Sequence, residues 1–231
     1  MQFVFENLEQ NSANDTWLCS KAIIASTNLN VDQINKNMID QFPGEAKIYR
    51  SCDTVDGSEH QYPLEFIHKL TPSGLPPHEL ILKKNASIML LRNLDPANGH
   101  CNGTRYYVRE LHDHIIEAVV AYGAHAGKKI FIPRIPLKPS EFEFPFDMKR
   151  KQFPIKLAFG ITANKSQGQT LDRIGIYLSK EMFSHGQNYV SQSRVTSRSN
   201  LKIVAPLGAF PRKAGKYCDN VVWPEVLQIP S

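Results

Sequence analysis

The densest run of chemically useful side chains lies at residues 157–171, LAFGITANKSQGQTL, where an apolar stretch leads directly into small polar residues, one Lys and Gly. Hydroxyls on Thr162 and Ser166, the Asn164 amide and exposed backbone N–H groups suit phosphate oxygens, and Lys165 adds a positive charge. Ligands bind at strand ends in α/β sheets because the loop there is exposed yet held by a rigid scaffold. Composition alone does not separate this stretch from an ordinary polar loop. The second such run, residues 183–197, FSHGQNYVSQSRVTS, predicts a helix over 186–195, with Tyr189, Val190 and Ser193 toward the core and Arg194 near its end. An Arg so placed can neutralise charge on a transferring phosphoryl group. A lone helical Arg is more commonly solvated or salt-bridged.

The elements that must position these residues read as α/β. Ala22-Ile23-Ile24-Ala25 is too short for a helix and suits a buried strand. Ser26-Thr27-Asn28 breaks it. Val31, Ile34, Met38 and Ile39 follow at helical spacing, and the helix is expected to stop near Pro43-Gly44. Residues 71–77, TPSGLPP, mark a junction. Beyond it lie short strand-like runs at 79–82, 87–91, 105–111, 115–122 and 129–133, a spacing that predicts a small β-barrel. After the Pro-broken stretch 138–145, α/β character returns. A strand with its approach is expected at 153–161, a turn at 166–169, and strands at 174–178 and 201–204. The fold class expected is therefore an α/β lobe interrupted by an inserted β module.

The whole chain of 231 residues carries a formal charge of +5, but unevenly. Residues 1–120 hold 10 Lys/Arg against 15 Asp/Glu, a net of −5, and residues 121–231 hold 17 against 7, a net of +10. Basic character gathered in one half suits a polyanion partner, although a solvated basic face has the same signature. The Lys149-Arg150-Lys151 cluster is a candidate extension of such a groove. No apolar run is long enough to cross a bilayer, and no basic region precedes an apolar one at the N-terminus. The four cysteines, Cys19, Cys52, Cys101 and Cys218, form no CxxC pair, so they are expected to be reduced thiols, with no metal site and an intracellular location.

Together, AFGITANKSQGQTL and HGQNYVSQSRVTS resemble the last two helicase motifs of the Pif-family 5′→3′ DNA helicases, with the flavour of the helicase part of Helitron transposon proteins. AIIASTNLNVDQIN resembles the family motif that opens the second motor lobe. LTPSGLPPHELILKKNASIMLLRNLDPANGHCNGTRYYV resembles its inserted SH3-like module, and FPFDMKRKQFPIKLAF the return strand. The resemblance covers roughly residues 17–205, with the motifs in order. It implies a RecA-like second lobe at 17–70 and 146–210, an SH3-like insert at 71–145, an N-terminal extension at 1–16 and a tail at 211–231. By resemblance, Arg194 reaches the γ-phosphate of ATP, Gln167 and Gly168 line the same cleft, and Thr27, Asn28, Thr162, Asn164, Lys165 and Ser166 grip single-stranded DNA. The implied location is nuclear. The chain departs from the family pattern at Gly160-Ile161 and at Ser191-Gln192, where apolar residues are usual. Polar groups there would be costly if buried without partners.

The Gly-rich phosphate cradle of a motor ATPase, GxxxxGK[ST], is missing. The nearest string, residues 122–129 (YGAHAGKK), has the wrong spacing and reads as a turn between strands. The ATP-holding first lobe is therefore expected to be absent from this chain. ATP and Mg2+ belong to the full enzyme only, and no turnover is expected from the chain alone. A catalytically inactive nucleic-acid-binding remnant and a protein-interaction adaptor remain as alternatives.

Overall fold

The structure is a computed structural model in which residues 1–56, 62–140, 143–179, 184–204 and 221 are described. Short helices α1 (Leu8–Asn11) and α2 (Asp15–Cys19) precede β1 (Lys21–Ala25) and α3 (Asn28–Gln41). Then come β2 (Ala46–Arg50), β3 (Cys52–Asp56), α4 (Leu64–Lys69), β4 (Glu79–Lys83) and β5 (Ser87–Leu90). The chain continues through β6 (Arg105–Leu111), β7 (Ile115–Val120), β8 (Lys129–Pro133), β9 (Ile135–Leu137), β10 (Asp147–Gln152) and β11 (Ile155–Leu157). It closes with β12 (Gly160–Thr162), α5 (Ala163–Ser166), β13 (Arg173–Tyr177), α6 (Gln187–Gln192) and β14 (Leu201–Val204). These elements form two compact units, Met1–Gln41 with Phe159–Ser231, and Phe42–Ala158.

The first unit is built on a parallel sheet in the order β12-β1-β13-β14. All five residues of β1 are buried, as expected of a central parallel strand covered on both faces. Helix α3 turns Val31, Ile34, Met38 and Ile39 inward, the apolar stripe read from the sequence. Its buried Asn35 brackets Gly160, donating to the Gly160 carbonyl at 3.1 Å and accepting from its N–H at 2.8 Å. A Cβ on Gly160 would meet Ile34 Cγ2 at 2.9 Å and Ile34 Cβ at 3.2 Å. The Gly160 departure is thus matched by Ile34 and Asn35, which use the space and the backbone groups it leaves. Residues 1–16 pack into this unit: Val4 and Phe5 are buried, and Phe5 meets Phe159 edge-on at 5.8 Å.

The second unit is antiparallel, with sheets β11-β5-β6-β7-β8 and β3-β10-β9 and the ladder β2-β4. Leu82, Ile88, Tyr106, Val108, Ile116 and Phe153 form the centre of its core. The string at residues 122–129 is a turn, as read: Gly127 N–H donates to Val120 O between β7 and β8, and Gly123 and Gly127 take φ of 91° and 82°. The sequence-derived boundaries at 70/71 and 145/146 fall inside this unit. Strands β2, β3 and β10 pair antiparallel within this unit.

The stretch 153–161, expected as one strand, is two. Its first half, β11, pairs antiparallel with β5, and its second, β12, pairs parallel with β1. A continuous apolar run cannot reveal that its halves serve different sheets. The sequence offers no clear element between 45 and 70, because β2 and β3 are short and mix charged residues with apolar ones: Arg50 is exposed on β2, and Asp53 is buried on β3. Among the described residues Cys19, Cys52 and Cys101 are not in disulfides, and no helix is long and apolar enough to cross a membrane.

Candidate nucleic-acid and phosphate interface

The register of the parallel sheet sets Ala25, the last residue of β1, beside Thr162, the last residue of β12. The chain leaving β1 at Thr27 and Asn28 and the chain leaving β12 at residues 162–166 therefore emerge from the same edge of the sheet, on adjacent strands. This is the edge at which open α/β sheets bind ligands.

At that edge Asn28 and Asn164 are exposed, and Thr27, Thr162 and Lys165 are half-buried. Thr27 Oγ1 accepts from Asn30 N at 3.4 Å and its carbonyl accepts from Val31 N at 3.2 Å, so Thr27 caps α3. Thr162 precedes α5 without a side-chain cap bond. Ser166 differs from expectation: it is fully buried, and its hydroxyl donates to Ala163 O at 2.7 Å. Its hydroxyl is turned away from solvent.

Gln167 and Gly168 are exposed in the turn after α5, where Gly168 takes φ of 76°. Helix α5 packs against α6, which brings Arg194 to this turn. The Arg194 guanidinium donates through Nε to Val190 O at 2.8 Å, through Nη1 to Gln169 O at 3.3 Å and through Nη2 to Ser193 Oγ at 2.8 Å. Among the described residues, these bonds engage three of its five N–H groups. The sequence reading missed Gln169. It is buried, its backbone carries Arg194, and its amide donates to Lys165 O at 2.8 Å, so it joins the Lys165 turn to the Arg194 side chain. Its place four residues after Lys165 was the available signal.

Helix α6 is shorter than the expected 186–195 and buries a different face. Gln187 and Ser191 point inward, whereas Tyr189 is 73% exposed. The Ser191 hydroxyl donates to Gln187 O at 2.9 Å, so the polar departure at 191 is satisfied locally, and Gln192 is exposed. The Lys149-Arg150-Lys151 cluster also needs correction. Arg150 is fully buried in β10, and its Nη2 lies 2.8 Å from Asp53 Oδ2, so it serves as a structural ion pair and not as a surface cation. Strand alternation explains this, since residues flanking 150 face the other way. Burial, then Arg173, lowers the pKa of Lys21, which lies at the opposite end of β1 from Thr27 and Asn28.

The parallel sheet with its loop edge is the RecA-like helicase fold seen in the structural neighbours of this chain. The crystal structure of Bacteroides Pif1 bound to ssDNA superimposes with a TM-score of 0.60 at 26% identity, covering 79% of this chain and 40% of that one. Pif1 helicase from Candida albicans gives 0.59 at 24% identity, covering 80% and 44%, a likeness of fold. The family model for the DNA helicase Pif1 2B domain matches residues 65–111. The ATP-dependent DNA helicase PIF1 of Xenopus laevis is 30% identical over 185 residues, covering 75% of this chain and 26% of the relative. The corresponding Bdellovibrio bacteriovorus helicase is 28% identical over 176 residues, covering 76% and 37%. These matches agree with the resemblance its motifs suggested: the chain is similar to Pif1 helicases over most of its own length. It spans about a quarter of the length of the Xenopus relative.

Proposed function

We propose that the parallel-sheet unit is the second motor lobe of an ATP-dependent DNA helicase. It holds single-stranded DNA at the edge formed by Thr27, Asn28, Thr162, Asn164 and Lys165, and presents Arg194 to ATP held by another lobe. The observation that carries this reading is the pairing of Ala25 with Thr162, which brings both polar loops to one sheet edge. The bound ssDNA of the Bacteroides Pif1 structure supports the choice of ligand. Ser166 contributes by fixing the α5 turn, because its hydroxyl is spent on Ala163 O. The contacts are to sugar and phosphate and are largely indifferent to sequence.

For nucleotide, the residues fit half a site. Gln167 and Gly168 are exposed beside Arg194, two of whose five N–H groups are not engaged among the described residues. The chain has no Gly-rich cradle of its own, so ATP and Mg2+ are held with a first RecA-like lobe. When bound, Mg2+ and the cradle supply phosphate binding, and Arg194 offsets charge developing on the γ-phosphoryl group. Residues 71–145, within unit Phe42–Ala158, are read as the family's SH3-like β module, and the site of action as the nucleus. The test is Arg194→Ala in a protein that joins this chain to an ATP-holding lobe. ATP turnover should fall at least a thousandfold on the order expected of a lost arginine finger, with DNA affinity nearly unchanged. An unchanged turnover rate refutes the assignment.

A further inference from the structure

Within unit Phe42–Ala158, two imidazoles and a carboxylate converge at a place the motor chemistry does not use. His68, in the last turn of α4, stacks on His78, with ring centroids 3.7 Å apart and planes 11° apart. With Asp53 of β3 they form a group whose ligand atoms all lie within 4.8 Å of one another. Asp53 is buried and both histidines are half-buried.

The hydrogen bonds fix how His78 is presented. The Asp53 carboxylate is gripped by Arg150, through Nε at 3.1 Å to each oxygen and Nη2 at 2.8 Å, and acts as an acceptor. Ser51 Oγ gives its one proton to Asp53 Oδ1 at 2.7 Å, so it must accept from His78 Nδ1 at 2.8 Å. The His78 proton is then on Nδ1, and Nε2 keeps its lone pair. Imidazoles that bind metals are oriented in this way, with the second ring N–H anchored toward a carboxylate. Arg150 also donates to Ile67 O at 3.0 Å, Leu70 O at 3.1 Å and Pro76 O at 3.2 Å. One buried guanidinium thereby buckles the backbone on both sides of His68 to the segment leading to His78. The two rings are held together before any ligand arrives.

We propose that His68 and His78 form a binding site for a divalent transition-metal ion, oriented by the Ser51–Asp53–Arg150 chain and completed by water. Imidazole nitrogen selects the class of Zn2+, Ni2+ and Cu2+. Mg2+ and Ca2+ need oxygen ligands, and the carboxylate present is already committed to Arg150. An ion about 2.0–2.1 Å from each nitrogen tilts the rings out of their stack, a motion open to His68 because its helix ends at the next residue. The site is independent of the helicase reading and can fail without it.

The test is titration of the full chain with Zn2+ by calorimetry, with 15N imidazole resonances followed in parallel. One saturable site is expected, weakened at least tenfold by His68→Ala or by His78→Ala. Ser51→Ala, which keeps both ligands, should weaken it by roughly tenfold through loss of orientation. A large excess of Mg2+ should not compete. The 15N shifts of His68 and His78 in the unsubstituted chain provide a readout that does not depend on any variant folding. Absence of a saturable site overturns the proposal. So does binding that survives both substitutions, or that is lost with His112→Ala or His114→Ala in the exposed turn after β6.

Discussion

Gly160→Ala is the sharpest probe of how the parallel sheet is assembled. The added methyl would lie 2.9 Å from Ile34 Cγ2, 3.2 Å from Ile34 Cβ and 3.4 Å from Val31 O. These are contacts that side chains avoid, and Ile34 is itself buried against the sheet at 7% exposure. Overpacking of this kind costs about 1–3 kcal/mol. Ile34→Ala alone opens a cavity costing about 2–5 kcal/mol. In the double variant the new methyl occupies part of the space the isoleucine vacates. The loss should therefore fall short of the sum of the single losses by about 1 kcal/mol or more, a coupling expected only of touching residues. Urea unfolding, followed by Trp17 fluorescence in a Trp223→Phe background, reads this unit, because Trp17 packs against Phe5 at 6.3 Å. A neutral Gly160→Ala, or strictly additive losses, would refute the claim that Gly160 and Ile34 are matched.

In the second unit, Asp53→Asn leaves Arg150 buried without its counter-charge and should cost about 3–5 kcal/mol in chemical denaturation; a loss under about 1 kcal/mol, the range of an exposed pair, would show that the buried charge pair does not hold the unit. His100 is 7% exposed, and its pKa is lowered by burial and then by His125 and Lys128, against the opposing pull of Asp95. Because the folded value lies below the ordinary 6.5, the fold favours neutral His100. Its contribution is whole above 6.5 and is lost as pH falls through the depressed folded value. His100→Gln should flatten the acid limb of the stability curve below 6.5, and an unchanged limb would assign that loss to other groups.

Much of the polar sheet edge was legible in the sequence. A strand, a polar break and a helix at 22–39 leave little freedom over where Thr27 and Asn28 emerge, and the structure has β1 and α3 there. The apolar periodicity of Val31, Ile34, Met38 and Ile39 mapped directly onto the buried face of α3. Other features depend on partners distant in sequence. Arg150 looked like part of a basic cluster until β10 paired with β3 and turned it toward Asp53. Gly160 looked like a weak point in a strand, although Asn35 and Ile34, 125 and 126 positions away, are what require it. On α6, Ser191 seemed a costly polar residue, but a bond to the carbonyl one turn back satisfies it. Ser166 was misread for the same reason, since a hydroxyl that bonds its own turn leaves no trace in composition.

The most direct test of the central claim is single-strand binding by this chain, measured by anisotropy of a labelled oligonucleotide across a range of salt, with Lys165→Ala alongside. If the loops after β1 and β12 hold the phosphate backbone, log affinity should fall linearly with log salt, and Lys165→Ala should reduce the slope by about 0.7, the loss of one phosphate contact on a single strand. No binding at the lowest salt, or a slope unaltered by Lys165→Ala, would contradict it.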